Sequence, residues 1–349
     1  MRSDLMSGLR LATPPSLASL AMSAAALVLG LAAAGCSSGT DEPRSARPTF
    51  SPPPITATPT PQSADGLALP LEAYFLTPDQ NRTVARAQNM LISDCMRRFG
   101  FSYPVNASGG SDLSPVKEAL RPLFLAESKA ARWGYHATPE RLAQINKGQE
   151  TAAPKLSPAA QAVLRGTAKS HGGQDVPKGG CFGHGRDSIE AGAAKVKLPP
   201  WMKRADEDKP PAGAAPAMRS ARAAPGYLPQ SMLNGAFDLA LADPRTKQAD
   251  AGWSACMKQS GYNYASVDAI LRDGRWAVSD APTASEIATA VTDARCRVKV
   301  KYGGLMYALQ LGYQKTMIDM YADSLNQVKQ ANEAMVRNAT KVLSGNAAD

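Results

Sequence analysis

Five cysteines and three histidines carry most of the reactive chemistry in this 349-residue chain. Cys95, Cys181, Cys256 and Cys296 lie in the body of the sequence, whereas Cys36 stands directly behind an apolar N-terminal run. In an oxidising compartment the four body thiols form two disulfides, in one of three connectivities. Cys181-Phe182-Gly183-His184, with His171 ten residues before Cys181, is the one local group of metal-ligand residue types. Structural zinc takes four ligands at tight spacings. One thiol that oxidation would consume and two imidazoles in a Gly-rich stretch fall short, so this stretch reads as a flexible loop beside a disulfide. No metal is expected. Beyond these two histidines only His136 remains, and a Ser-His-Asp hydrolase is unsupported. The sequence contains no Gly-x-Ser-x-Gly elbow, His-Glu-x-x-His, phosphate-binding loop or dinucleotide fingerprint, so no cofactor is expected either. Glu118, Glu127, Glu140 and Glu190 are scattered along helix-forming stretches and read as solvated. A hydrolytic carboxylate pair is defined by its separation in space, which spacing in sequence does not give.

Charge is the next source of function. Lys+Arg number 39 against 30 Asp+Glu, a formal net charge of +9. The densest cations are Arg295, Arg297, Lys299 and Lys301, spread over two faces of a helix. They read first as solvated surface, and second as a patch attracted to anionic headgroups or wall polymers. No nucleic-acid reader motif accompanies them, and nucleic acid is not expected as a partner.

The N-terminal residues say where the chain goes. Arg2 and Arg10 precede an apolar stretch from Leu17 to Leu31, which ends Leu31-Ala32-Ala33-Ala34-Gly35-Cys36. A short apolar region closed by small residues is an export signal rather than a membrane span. Its end resembles the lipobox of bacterial lipoproteins, although Ala33 stands where Leu is usual. That resemblance implies cleavage before Cys36, a diacylglyceryl group on its thiol, and a mature net charge of +8. Residues 1–35 are then the lipoprotein signal peptide. Residues 36–66 are a disordered tether, since 17 of the 29 residues from Ser37 to Asp65 are Pro, Ser or Thr. The mature chain is expected on the outer face of the plasma membrane, held there by the lipid on Cys36.

Behind the tether the elements are helical. Thr77-Pro78-Asp79-Gln80 is a capping box that opens a helix ending at Gly100. Ser114-Pro115, Thr138-Pro139, Ser157-Pro158 and Asp243-Pro244 repeat the cap-then-Pro signature. Thr283-Ala284-Ser285-Glu286 is a second capping box, opening a helix towards Tyr302 that Gly303-Gly304 should break. From Leu305 to Leu343 apolar residues recur at steps of three and four, as in one long amphipathic helix or two packed ones. Met306, Met317, Met320 and Met335 on this stretch read as core filler. The absence of a sustained period-two run makes the fold class all-α. Asn81, Asn106 and Asn338 begin glycosylation sequons, but two fall inside predicted helices and none is expected to carry a glycan.

The cysteines sit in a repeat. Cys95-Met96-Arg97-Arg98-Phe99-Gly100-Phe101-Ser102-Tyr103 aligns with Cys256-Met257-Lys258-Gln259-Ser260-Gly261-Tyr262-Asn263-Tyr264. Each copy reads as a helix end: a basic last turn facing the helix dipole, then Gly in a left-handed cap, then an aromatic folding back. Tyr103 and Tyr264 as ligand contacts are the less favoured reading. The copies lie in two helical halves, 67–195 and 227–345, divided by a Pro/Ala-rich linker over 196–226. That division favours Cys95–Cys181 and Cys256–Cys296, closing loops of about 86 and 40 residues, each contributing roughly 3–5 kcal/mol in the chain-entropy model. Cross-half pairings remain the alternative.

The Cys-Met-x-x-x-Gly-aromatic-x-Tyr motif resembles a group of uncharacterised actinobacterial, streptomycete-type, secreted proteins and lipoproteins. So do Val176–Cys181, Trp253–Met257 and Ile287–Cys296, and the likeness spans roughly Leu69 to Leu343. It implies an exported helical protein with paired cysteines, and no activity. Gly183-His184-Gly185 departs from the group, where an acidic helix-forming continuation is more usual.

These readings converge on a lipid-anchored extracytoplasmic protein, a non-catalytic binding or scaffold module that contacts an envelope protein or an anionic wall polymer. The alternative is an enzyme that acts on envelope material through carboxylates placed by the fold.

Overall fold

A computed structural model describes residues 48–61, 63–105, 113–147, 155–199, 202 and 225–345. Residues 1–35, expected to be a signal peptide, Cys36, the first part of the expected tether, Asn106 and residues 203–224 of the expected linker lie outside the described residues. Twelve α-helices, three short 3-10 helices and one two-residue-a-side hairpin (β1, Ser170–His171; β2, Gln174–Asp175) make up the regular structure among the described residues. The all-α class holds, and none of these helices is long and apolar enough to cross a membrane.

Most helices begin where cap chemistry dictates. α1 (Pro78–Arg98) starts with Thr77 and Gln80 exchanging side-chain and backbone hydrogen bonds, the full capping box. Ser114, Ser157 and Asp243 accept backbone N–H groups in the first turns of α2 (Pro115–Leu120), α5 (Pro158–Arg165) and α8 (Pro244–Gln259). α3 (Glu127–Trp133) and α4 (Pro139–Lys147) lie between α2 and α5. Cys181-Phe182-Gly183-His184 is helical, within α6 (Gly180–Ile189), and not the flexible loop its glycines suggest. Those glycines permit close packing instead. A Cβ on Gly185 would lie 2.8 Å from Ile92 and 3.1 Å from the Gln88 carbonyl of α1.

α7 (Tyr227–Ala242), α8 and α9 (Val267–Leu271) are followed by α10 (Ala284–Lys299), α11 (Tyr302–Met320) and α12 (Ala322–Leu343). The stretch from Leu305 is therefore two helices, parted at Tyr321. The break before it comes earlier than expected. α10 stops at Lys299, and Lys301 turns the chain with φ of 54°. Gly303 and Gly304 are inside the first turn of α11. Their hydrogens allow the Phe124 ring and the Pro59 carbonyl to sit where side chains would otherwise be.

The apolar core crosses the expected half boundary. Leu69, Leu71, Val116, Leu120 and Leu123 share the largest cluster with Met232, Trp253, Met257, Met306 and Leu309. A second cluster joins α1, α5 and α6 through Ile92, Cys95, Met96, Val163 and Cys181. A third places Val84 and Ile189 against Ala339 of α12. The two sequence halves are thus interlocked within one unit, Ser45–Asp349.

Two stretches read as disordered are in part packed. Val196, Leu198 and Met202 of the linker join the main cluster, and Lys197 hydrogen-bonds Gln327 and Ser324 of α12. In the tether, residues 48–61 are extended without secondary structure but lie along α11, with Pro53 buried and Phe50 and Ile55 against the core. A proline-rich chain can pack in this way because Gly304 leaves room for its backbone and Gly312 for the Pro53 ring.

Candidate functional site

The repeated cysteine motif builds the same helix end twice. In each copy the residue after Gly donates to the Met carbonyl, Phe101 to Met96 and Tyr262 to Met257, both at 3.0 Å. Gly100 and Gly261 donate one residue further along, to Arg97 and Lys258, with φ of 78° and 85°. This is the Schellman cap, which requires the left-handed conformation glycine adopts freely. The copies share a further bond: Ser93 Oγ donates to the Tyr103 carbonyl at 2.9 Å, and Ser254 Oγ to the Tyr264 carbonyl at 2.6 Å. The serine two residues before each cysteine therefore belongs to the motif and fastens the returning chain. The bridges join Cys95 to Cys181 and Cys256 to Cys296.

Sequence reasoning missed three clusters of one design, an aspartate chelating a nearby arginine and receiving a tyrosine hydroxyl. Asp243 accepts the Arg245 backbone N–H and its guanidinium, and Tyr313 Oη donates at 3.0 Å. Asp273 repeats this with Arg275 and with Tyr264 at 2.7 Å. Asp-Pro-Arg and Asp-Gly-Arg are the visible signals, because the aspartate caps the following helix and turns the arginine back over itself. The guanidinium of Arg245 holds the Asp243 carboxyl below the ordinary aspartate range, and that of Arg275 does the same for Asp273. Burial, then the aspartate bond, pushes both tyrosines up to about 12.

The third cluster is buried. Arg297 follows Asp293 by one helical turn, and both side chains are almost wholly enclosed, at 4% and 0% exposure. Arg297 Nε and Nη2 each reach an Asp293 oxygen at 2.7 Å. Trp253 Nε1 adds a bond at 2.9 Å and Tyr135 Oη one at 3.1 Å. A carboxylate offers about four lone-pair sites, and here four donors fill them. Arg297 Nη1 spends its remaining reach on the Pro122 carbonyl at 2.7 Å. The cluster ties the Pro122–Tyr135 segment to α8 and α10.

Beside it lies a second tie. Glu286, expected to return its side chain to the N-cap of α10, turns inward instead and is 1% exposed. Its Oε1 accepts the Tyr135 backbone N–H at 2.8 Å and bonds His136 Nδ1 at 2.8 Å. His136 Nε2 reaches the Ser279 carbonyl at 2.8 Å. With acceptors at both nitrogens, the protonated ring makes one hydrogen bond more than either neutral tautomer. The Ser279 carbonyl first and Glu286 second raise its pKa above the ordinary histidine value.

Within the four-cation cluster, Arg297 alone departs from the solvated run expected. Arg297 is buried, Arg295 is exposed but pairs with Glu127, and Lys299 and Lys301 are exposed away from the carboxylate contacts described above. Among the scattered acids, Glu118 bridges Arg121 and Arg141, and burial raises the pKa of Glu190. Burial also raises Asp250, which accepts the Val267 N–H at 3.1 Å, with Asp268 adding to the effect. Tyr103 stays half-buried and Tyr264 is committed to Asp273. Met306 and Met317 are core, whereas Met320 is 48% exposed.

Among the described residues, an open cleft of about 700 Å³ lies between residues 49–57 and α11. Ala308, Leu311, Gly312, Lys315, Thr316 and Met320 form its helical wall, with a cation and no carboxylate. Compared with protein-family models, curated proteins and solved structures, the chain matches none.

Proposed function

We propose that this protein is a lipid-anchored, extracytoplasmic helical module with a non-catalytic binding or scaffold role at the cell envelope. The lipid on Cys36 would hold it to the outer face of the membrane, and an envelope protein or anionic wall polymer would be its partner. The two disulfides fit an oxidising compartment.

One observation carries the non-catalytic reading. The aspartates of the three clusters are saturated by arginine, tyrosine, tryptophan and backbone donors, and the α11 cleft is lined by no carboxylate. A general acid or base needs a free proton site within hydrogen-bond reach of substrate, and these groups have none to offer. Enclosure of Arg297 and the pairing of exposed Arg295 with Glu127 leave Lys299 and Lys301 as the unpaired cations of this cluster, which weakens the polymer as partner and favours a protein.

Chemical cross-linking of the tagged lipoprotein in living cells, followed by mass spectrometry, tests the proposal. A reproducible envelope protein partner supports it, and capture of wall polymer alone supports the polymer form. Release of soluble fragments from isolated wall material by the purified protein would contradict it and favour a carboxylate-dependent enzyme.

A further inference from the structure

We infer that residues 48–61 form a releasable strap, an intramolecular ligand that covers the Gly304–Met320 face of α11. The face is shaped for an extended chain. Gly304, Ala308 and Gly312 recur every four residues and so share one side of the helix. A Cβ at Gly304 would fall on the Pro59 carbonyl, and one at Gly312 on the Pro53 ring. Thr58 lies against the same Gly304 position. Arg245, already chelated by Asp243, presents its free Nη1 to the Pro53 carbonyl at 2.9 Å. The guanidinium is thereby aimed by a buried carboxylate rather than left to find the strap. Proline-rich chains suit such a seat, because their extended conformation is preset and few donors need partners.

The same contacts make the seat reversible. No backbone–backbone hydrogen bond ties the strap to the helices among the described residues. The Arg245 bond is one polar clasp, and the cleft of about 700 Å³ along residues 49–57 leaves that stretch loosely covered. Gly66, with φ of 73°, lies just beyond the strap where the chain turns into the body.

Release would change two things. It would uncover Ala308, Leu311 and Gly312 beside Lys315 and the already exposed Met320, a mixed apolar and cationic face. It would also lengthen the leash. On the lipid-anchor reading, the chain from Cys36 to a docked Pro48 spans at most roughly 40 Å, against roughly 110 Å to Leu69 with the strap free.

The test uses the full-length chain carrying Cys36→Ala, so that failure of the anchor reading does not affect it. A photo-cross-linking residue at Ser51 should capture residues 308–320 of its own chain, giving a monomeric product. Gly304→Leu with Gly312→Leu should cut that yield at least tenfold and speed chymotryptic cleavage after Phe50 by a similar factor. Should that variant fold poorly, Phe50→Ala with Ile55→Ala weakens the strap from its own side and should also lower the yield. A large excess of a synthetic peptide of residues 48–61 should compete the cross-link away. Cross-links mainly between chains or to other surfaces would overturn docking. A yield that neither pair of substitutions changes would overturn it as well. A yield indifferent to the peptide would overturn release.

Discussion

Arg297 and Asp293 set the terms at the scale of single residues. Enclosing two charges costs several kcal/mol each, and only the complete set of bonds offsets it. Removing one partner strands the other. Arg297→Met should therefore cost about 3–5 kcal/mol in urea unfolding, whereas Arg297→Met with Asp293→Leu should cost less than Arg297→Met alone. Equal losses would mean that the pair is not the energetic unit. His136 should show the opposite dependence on pH to an ion-paired carboxylate such as Asp243, whose pKa is lowered. Its folded pKa is raised by the Ser279 carbonyl and Glu286, so its stabilisation is complete below the unfolded value of about 6.5 and lost as pH rises through the folded value. The stability gap between the natural chain and His136→Gln, measured by thermal melts, should be widest in mild acid and narrow on going alkaline. Neither group announces itself in the sequence. Asp293 meets Tyr135 across 158 positions, and Glu286 occupies a capping-box position that disguises its inward turn. Arg297 sits among three other cations that mask it as surface.

At the scale of elements the sequence is far more readable, because caps are local. Thr77, Ser114, Ser157, Asp243 and Thr283 each accept a first-turn N–H as their spacing predicts. The glycines divide into those that need a conformation and those that need space, and only the first kind is legible. Gly100 ends α1 with open space around its Cβ position, so Gly100→Ala should cost only the left-handed strain, about 1–2 kcal/mol. Gly166, also left-handed, has the Gly180 backbone against its Cβ position. Gly166→Ala should lose clearly more, because α5 and α6 must also separate; chemical denaturation of the two variants under one condition ranks them. Local spacing makes Gly183 look like a loop residue and Gly303-Gly304 like a helix breaker, because proximity across the fold leaves no trace in it. Cys181 is helical for that reason, and α10 ends at a lysine rather than at the glycine pair.

Over the whole molecule, the repeated motif suggests two bodies and the core joins them. Leu69, Leu71 and Val116 belong to a cluster drawn mostly from beyond residue 227, so the largest apolar core is shared between the halves. Melts followed by far-ultraviolet circular dichroism and by tryptophan fluorescence should superimpose as one transition; two separated transitions would contradict the interlock. The extended residues 48–61 and 196–199 show the limit of composition as a guide. Proline and alanine predict the absence of helix there, but not whether the chain is covered. The central claim is that a lipid on Cys36 fixes this body at the membrane surface, and labelled palmitate fed to producing cells tests it most directly. The account predicts a labelled protein in the membrane fraction, and an unlabelled protein in the medium for Cys36→Ala. An unlabelled natural chain, or a Cys36→Ala variant that stays with the membrane, would contradict it.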